Sequence, residues 1–164
     1  MSQGREIRAY DYVNHAYASV RDALTADPIA VFRNATKAAA SRVESVAAEL
    51  HVTIGGLEVG TDIAVSVGNI EETQGKTDLS RVTKIPMAWK AATRPRLFPL
   101  MNADLSIYPL TATETQLDFL GSYEPPLGAF GDALDAVVGH KVAEASVHRF
   151  VTDVAHYLRR TLTP

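Results

Sequence analysis

The sequence predicts an α+β protein, with an antiparallel sheet in mid-chain and helices before and after it. Three observations predict this. Apolar residues recur at steps of three and four over residues 28–50 and again over residues 130–161. Between these stretches the apolar period falls to two, as in strands with one buried face. Helical and strand patterns are segregated rather than alternating, which argues against a parallel βαβ architecture.

Residues 6–13 read as the first strand, with Ile7, Ala9 and Val13 apolar and Tyr10 and Tyr12 suited to a sheet. A short helix over residues 17–25 turns Val20, Ala23 and Leu24 to one side. Asp27-Pro28 is a strong helix start, with Asp as N-cap and Pro at the first helical position. The helix it opens reaches residue 50, and its stripe is Ile29, Phe32, Ala35, Ala39, Val43, Val46, Ala47 and Leu50. Val52 and Ile54 then precede Gly55-Gly56, a turn or bulge signal. Ile63, Val65 and Val67 alternate with Asp62, Ala64 and Ser66.

Glu71-Glu72 reads as a solvated loop and Gln74-Gly75-Lys76 as a turn. A strand over residues 79–90 sets Ile85, Met87 and Trp89 on one face, and Pro86 inside it marks an edge or a bulge. After a loop at 91–99, another strand sets Ala103, Leu105 and Ile107 against Asn102, Asp104, Ser106 and Tyr108. Residues 109–114 read as a tight connection, and the last strand, 115–123, sets Leu117 and Phe119 opposite Gln116 and Asp118. Pro125-Pro126 breaks the chain before a proline-free helix whose stripe is Phe130, Leu134, Val137, Val147, Phe150, Val151, Val154 and Leu158. Asp132 and Asp135 near its start and Arg159 and Arg160 near its end match the helix dipole. Some 30 residues at 1.5 Å rise give about 45 Å, so this helix must lie across something wide, and the strands supply it.

The 164 residues suit one domain, which needs no covalent staple to fold. Hydrophobic residues at 46% and charged residues at 21% exclude the disordered and low-complexity classes. A net charge of −3 argues against a nucleic-acid partner. There are no cysteines, which excludes disulfides, thiolate zinc sites, Fe–S clusters and cysteine nucleophiles. Residues 1–10 lack the apolar core of a signal peptide, and no run approaches the length of a membrane span, so a cytoplasmic location is expected.

Three stretches carry a family resemblance. Tyr12-Val13-Asn14-His15-Ala16-Tyr17-Ala18-Ser19-Val20 resembles the opening of START-like (SRPBCC) proteins, where the first strand ends and a helix begins. Residues 117–128, LDFLGSYEPPLG, resemble that superfamily's last strand and turn, and Val147-His148-Arg149-Phe150-Val151 its late helix core. The superfamily includes polyketide cyclases, lipid-transfer domains and Bet v 1-type proteins. The resemblance implies a helix-grip fold, a curved antiparallel sheet of six or seven strands wrapped on the C-terminal helix. It also implies an apolar cavity between sheet and helix that binds a lipid, sterol or polyketide-like molecule. The long helix at 28–50 departs from the family pattern, and it either lengthens the cavity wall or packs outside it.

Met87, Trp89, Leu105, Ile107, Phe119, Tyr123, Leu134 and Val138 are the candidate ligand-binding residues, with ordinary core packing as the competing reading. Trp and Tyr add a polar handle to a large apolar body. Gly139, inside the last helix, makes space for a ligand or for close sheet contact. His140, His148 and His156 recur every eight residues, which spreads them around the helix, so they read as solvent-facing and do not converge on a metal. His15 and His51 read as loop or cap residues. Asp104 and Asp118 point away from the apolar strand faces, and Arg149 and Asp153 are spaced as an i, i+4 ion pair. Arg94 and Arg96 suit a solvated loop or a cavity mouth that meets an acidic head group.

No Gly-rich phosphate loop, nucleophile elbow or HExxH is present, and no metal or cofactor is expected. Three functions therefore compete: a carrier of a hydrophobic small molecule, a cyclase-type enzyme working by proton transfer, and an interaction module such as a homodimer.

Overall fold

The computed structural model describes residues 5–49, 59, 63–91, 100–124 and 132–162, with the side chains at 47, 78, 91 and 132–138 left out. The elements are β1 (Arg5–Val13), α1 (Tyr17–Ala26), α2 (Pro28–Glu49), β2 (Ile63–Val67), β3 (Glu71–Thr73), β4 (Val82–Ala91), β5 (Leu100–Thr111), β6 (Glu114–Glu124) and α3 (Asp132–Thr161). A 3₁₀ turn, Asp78–Ser80, precedes β4. The six strands make one antiparallel sheet in the order β1-β6-β5-β4-β2, with β3 also paired to β4. With α3 packed on β1 and β6, this is a helix-grip α+β fold. Among the described residues, no helix is long and apolar enough to cross a membrane.

Strand register stacks the inward side chains into rows. One end row is Arg5, Tyr123, Met101, Trp89 and Val65. The next is Ile7, Gly121, Ala103, Met87 and Val67, followed by Ala9, Phe119, Leu105 and Ile85. Asp11, Leu117, Ile107 and Thr83 form the fourth row. The period-two pattern read from the sequence is this inner face, and each fully buried Leu, Ile or Phe on it contributes about 1.5–3 kcal/mol.

Asp27 opens α2 as its composition predicts, its Oδ1 accepting from the Ala30 amide at 3.2 Å. The helix packs chiefly along α3 and also touches β2. Its buried stripe is wider than the sequence pattern suggests: Val31, Thr36 and Ala40 join Phe32, Ala35, Ala39, Val43 and Val46. The Thr36 hydroxyl donates to the Phe32 carbonyl at 2.7 Å, so it enters the core without an unmet bond. Ile29, predicted to lie in the stripe, is instead exposed, because it sits in the first turn at the margin of that face.

Three further expectations are corrected. Glu71-Glu72 is not a loop but most of β3, facing Lys84 and Thr83 of β4. Three residues, Gly68 to Ile70, separate β2 from β3 while only Ile85 and Pro86 separate their partners, so one extra residue makes a bulge. The Gly68 amide donates to the Pro86 carbonyl at 2.8 Å. Backbone N and C=O of a strand residue share one edge, so the missing Pro86 N–H faces this break rather than an unpaired sheet edge. Leu79, predicted to begin the β4 strand, lies exposed in the 3₁₀ turn. The connection at 109–114 is largely strand: β5 continues to Thr111 across an irregularity after Pro109, leaving Ala112 and Thr113 as the turn.

The 30-residue α3 closes onto β1 at its C-terminal end. There Arg159 donates to the Tyr12 carbonyl at 2.6 Å and to Asp11 Oδ1 at 3.2 Å, so it does more than answer the helix dipole. Arg149 and Asp153, spaced for a pair, do not form one. The predicted readings at 52–56, at Arg94 and Arg96, at His51 and at 125–131 lie outside the described residues, as does the Leu50 end of the predicted α2 stripe.

Candidate functional site

Six predicted ligand residues, Met87, Trp89, Leu105, Ile107, Phe119 and Tyr123, fall on the inner face and are buried. Leu134 and Val138 lie in the part of α3 whose side chains are outside the described residues.

Four aromatic rings pack on one another in the interior, from Trp89 in the Tyr123 row to Phe119 two rows away. Phe150 of α3 has its ring centroid 5.3 Å from Trp89, 5.6 Å from Phe119 and 5.5 Å from Phe32 of α2. Trp89 stacks on Phe119 at 6.1 Å, across the row that holds Gly121 and Ala103. Centroid separations of 4.5–7 Å are direct ring contact, so these residues pack on one another.

The two ends of the inner face differ. At the Val13 end, α1 covers the sheet. The Tyr17 and Thr83 hydroxyls form a buried hydrogen bond, and the Thr115 hydroxyl donates to the His15 carbonyl at 2.8 Å. Arg81 lies over the Tyr17 ring, and Glu72 reaches both Thr83 and Arg21, so polar groups there satisfy one another. At the opposite end the Tyr123 ring is buried, yet its hydroxyl meets His140 Nδ1 of α3 at 3.1 Å. Nε2 of His140 lies 3.4 Å from the Glu144 carboxylate, one helical turn on. His140 and Glu144 are both more than half exposed, so this chain of groups leads from the inner face to solvent.

With the imidazole neutral and its proton on Nε2, the side facing Glu144, Nδ1 accepts and the Tyr123 hydroxyl donates; with the imidazole protonated, Nδ1 donates to the Tyr123 oxygen. The sequence reading found no partner for any histidine and missed this one. The His140–Glu144 spacing was the available signal. The other helix histidines, His148 and His156, are exposed as predicted.

Among the described residues, grooves lie outside the sheet–helix interior. One of about 600 Å³ runs between α2 and α3, past Arg42, Glu49, Lys141, Glu144 and His148. Another of about 500 Å³ crosses the outer sheet face at Pro86, Asn102, Asp104, Leu120 and Ser122, and includes Met87 of the predicted wall at its margin. Among the described residues, no cluster of three or more metal-ligating side chains occurs.

Asp118, on the outer face as predicted, takes a two-point contact from Arg8 at 2.7 and 3.1 Å. Partial burial, then the charge of Asp118, holds the neighbouring Tyr108 phenol above the usual tyrosine range, while Arg8 opposes them. Removing the Asp118 charge favours the phenolate. In Asp118→Asn, the alkaline titration of Tyr108, followed by NMR of ring-labelled tyrosine, is expected to move to lower pH.

No family model and no curated protein matches the chain. Among solved structures it is similar to the Zhui aromatase/cyclase from Streptomyces sp. R1128, at 14% identity and TM-score 0.49, over 96% of this chain and 95% of that one. It is similar to Ara h 8.0201 at 8% identity and TM-score 0.38, over 94% and 97% of the two chains. The di-domain ARO/CYC BexL from the BE-7585A biosynthetic pathway matches 97% of this chain with 50% of its own, at 11% identity and TM-score 0.43.

Proposed function

We propose that the chain is one START-like domain that binds a hydrophobic small molecule between the sheet and α3, entering at the Tyr123 end. The observation that carries this reading is the asymmetry of the inner face. Aromatic rings pack over its β4 side, from Trp89 to Phe119, and its Val13 end is covered by α1, whereas at Tyr123 a buried phenol meets an exposed histidine. A mostly apolar wall with one hydrogen-bonding group fits a ligand that is mostly hydrocarbon with one polar function. The similarity to aromatase/cyclases and to Ara h 8.0201 is consistent with such a ligand at the level of fold only.

Native mass spectrometry of the purified protein is expected to show one co-purified apolar molecule per chain, and a fluorescent fatty acid to be bound and displaced by it. Absence of both sinks the reading. Light scattering decides separately whether an apolar patch makes the chain a dimer. The second reading, proton-transfer chemistry on the bound molecule, is favoured by the contact of Tyr123 with His140.

A further inference from the structure

We infer that the outer edge of β1 pairs with the same edge of a second copy of the chain, antiparallel about Ile7, joining two sheets into one. β1 is the terminal strand of the sheet, and among the described residues no strand pairs with its far edge. Its register with β6 runs unbroken from Arg5 to Val13, so its backbone groups alternate between the two edges. Tyr12 shows which residues face outward. Its amide donates to Asp11 Oδ1 at 2.7 Å and its carbonyl accepts from Arg159 at 2.6 Å, and neither partner belongs to β6. By the same alternation Glu6, Arg8 and Tyr10 turn their backbone groups outward, while Asp11 and Arg159 close the edge at Tyr12. The open length contains no proline and no bulge, two devices that ordinarily keep an edge from pairing.

Charge complementarity selects the occupant and its register. In a two-fold antiparallel pair, outward-facing residues must oppose one another to exchange hydrogen bonds, which centres the pair on a whole residue. Centred on Glu6 or Arg8, the pair sets like charges directly opposite, which destabilises a sheet. Centred on Ala9 or Tyr10, it needs the Tyr12 groups that Asp11 and Arg159 already hold. Centred on Ile7, it sets Glu6 opposite Arg8 of the second copy and Arg8 opposite its Glu6, and both side chains are exposed in the single chain. Opposite charges then meet twice on the outer face, where Arg8 already holds Asp118 at 2.7 Å, and Ile7 meets its own counterpart on the inner face. Charged residues ordinarily protect a sheet edge. Here they disfavour the pairs centred one residue to either side of Ile7 and favour this one.

The test follows the full chain by sedimentation velocity and by NMR amide hydrogen exchange as its concentration is raised. A strand-to-strand contact is a small interface, so a dimer is expected to form between about 10 μM and 1 mM. The Glu6 and Arg8 amides are expected to exchange freely in the monomer and about tenfold more slowly in the dimer, while Ile7 and Ala9, bonded to β6, are slow in both. Glu6→Arg sets two arginine pairs opposite each other and is expected to raise the dimer Kd about tenfold or more. Arg8→Glu is expected to do the same, and an equimolar mixture of the two variants to pair again, because each then offers the charge the other lacks. Should Arg8→Glu fail to fold beside Asp118, Glu6→Arg carries the charge test alone. A chain that stays monomeric at 1 mM, or a dimer in which the Glu6 and Arg8 amides remain fast, overturns the inference. So does slow exchange of those amides in a monomer, where the chain covers its own edge, or in a complex with a different polypeptide. A dimer unaffected by Glu6→Arg overturns the register. The pairing makes no use of the interior, so none of these results bears on ligand binding.

Discussion

Replacing Phe150 by alanine is expected to lower stability by about 3–5 kcal/mol in urea unfolding, the cost of truncating a fully packed aromatic. The ring is fully buried and touches one aromatic on each of three other elements: Phe32 of α2, Trp89 of β4 and Phe119 of β6. It is where both long helices meet the sheet, so the vacated space cannot close without moving two layers. Against a typical total of 5–15 kcal/mol, that loss leaves a chain close to its folding threshold. Phe150→Leu is expected to keep much of the difference, because it retains most of the volume. The measurement also bears on function. If the centre were ligand space, the ring would face an empty volume and its removal would cost well under 2 kcal/mol. Such a result would move the proposed site from the Tyr123 end to the middle of the sheet.

What the sequence made legible follows from the range of each interaction. Periodicity is a local property, so the faces of β4, β5 and β6 and the extents of α2 and α3 are readable from residues that are near neighbours in the chain. β3 was not readable in this way, because Glu71, Glu72 and Thr73 are all exposed and show no alternation. It is a strand because β4 extends beyond Pro86 and offers it backbone partners. The Pro86 signal was correct about irregularity, but whether that meant an edge or a bulge depended on β2, which no local pattern places.

The polar groups divide in the same way. Spacing showed that Arg149 could reach Asp153, yet no pair forms, whereas Arg159 binds Asp11 and Tyr12 nearly the whole chain length away. Tyr123 was recognised as a wall residue with a polar handle, and Glu144 lies one turn from His140, but the bond that joins Tyr123 to His140 crosses from sheet to helix. That bond is what turns a surface histidine into a candidate functional group, and only the fold supplies it.

Replacing Gly121 by valine is expected to destabilise the chain by about 3 kcal/mol, at the upper end of overpacking costs. Gly121 faces inward between Phe119 and Tyr123, opposite Ala103 on β5 and Ile7 on β1. A methyl group alone would lie 2.8 Å from Met101 Sδ, 2.9 Å from the Phe119 ring and 3.1 Å from the Ala103 methyl. The trough that Gly121 and Ala103 leave in the inner face is therefore already occupied by neighbouring side chains, and valine adds two more methyl groups to it. Met101 is the flexible neighbour, so truncating it should relieve the strain. Gly121→Val combined with Met101→Ala is expected to lose less than the sum of the single losses, by about 1 kcal/mol or more, as for residues in contact. Valine tolerated at 121 without loss would mean that the trough is open, and the ligand would then lie against β5 and β6 rather than at the sheet end beside Tyr123. Strict additivity with Met101→Ala would mean that the strain falls on the Phe119 ring instead, and through it on the Trp89 and Phe150 rings it touches.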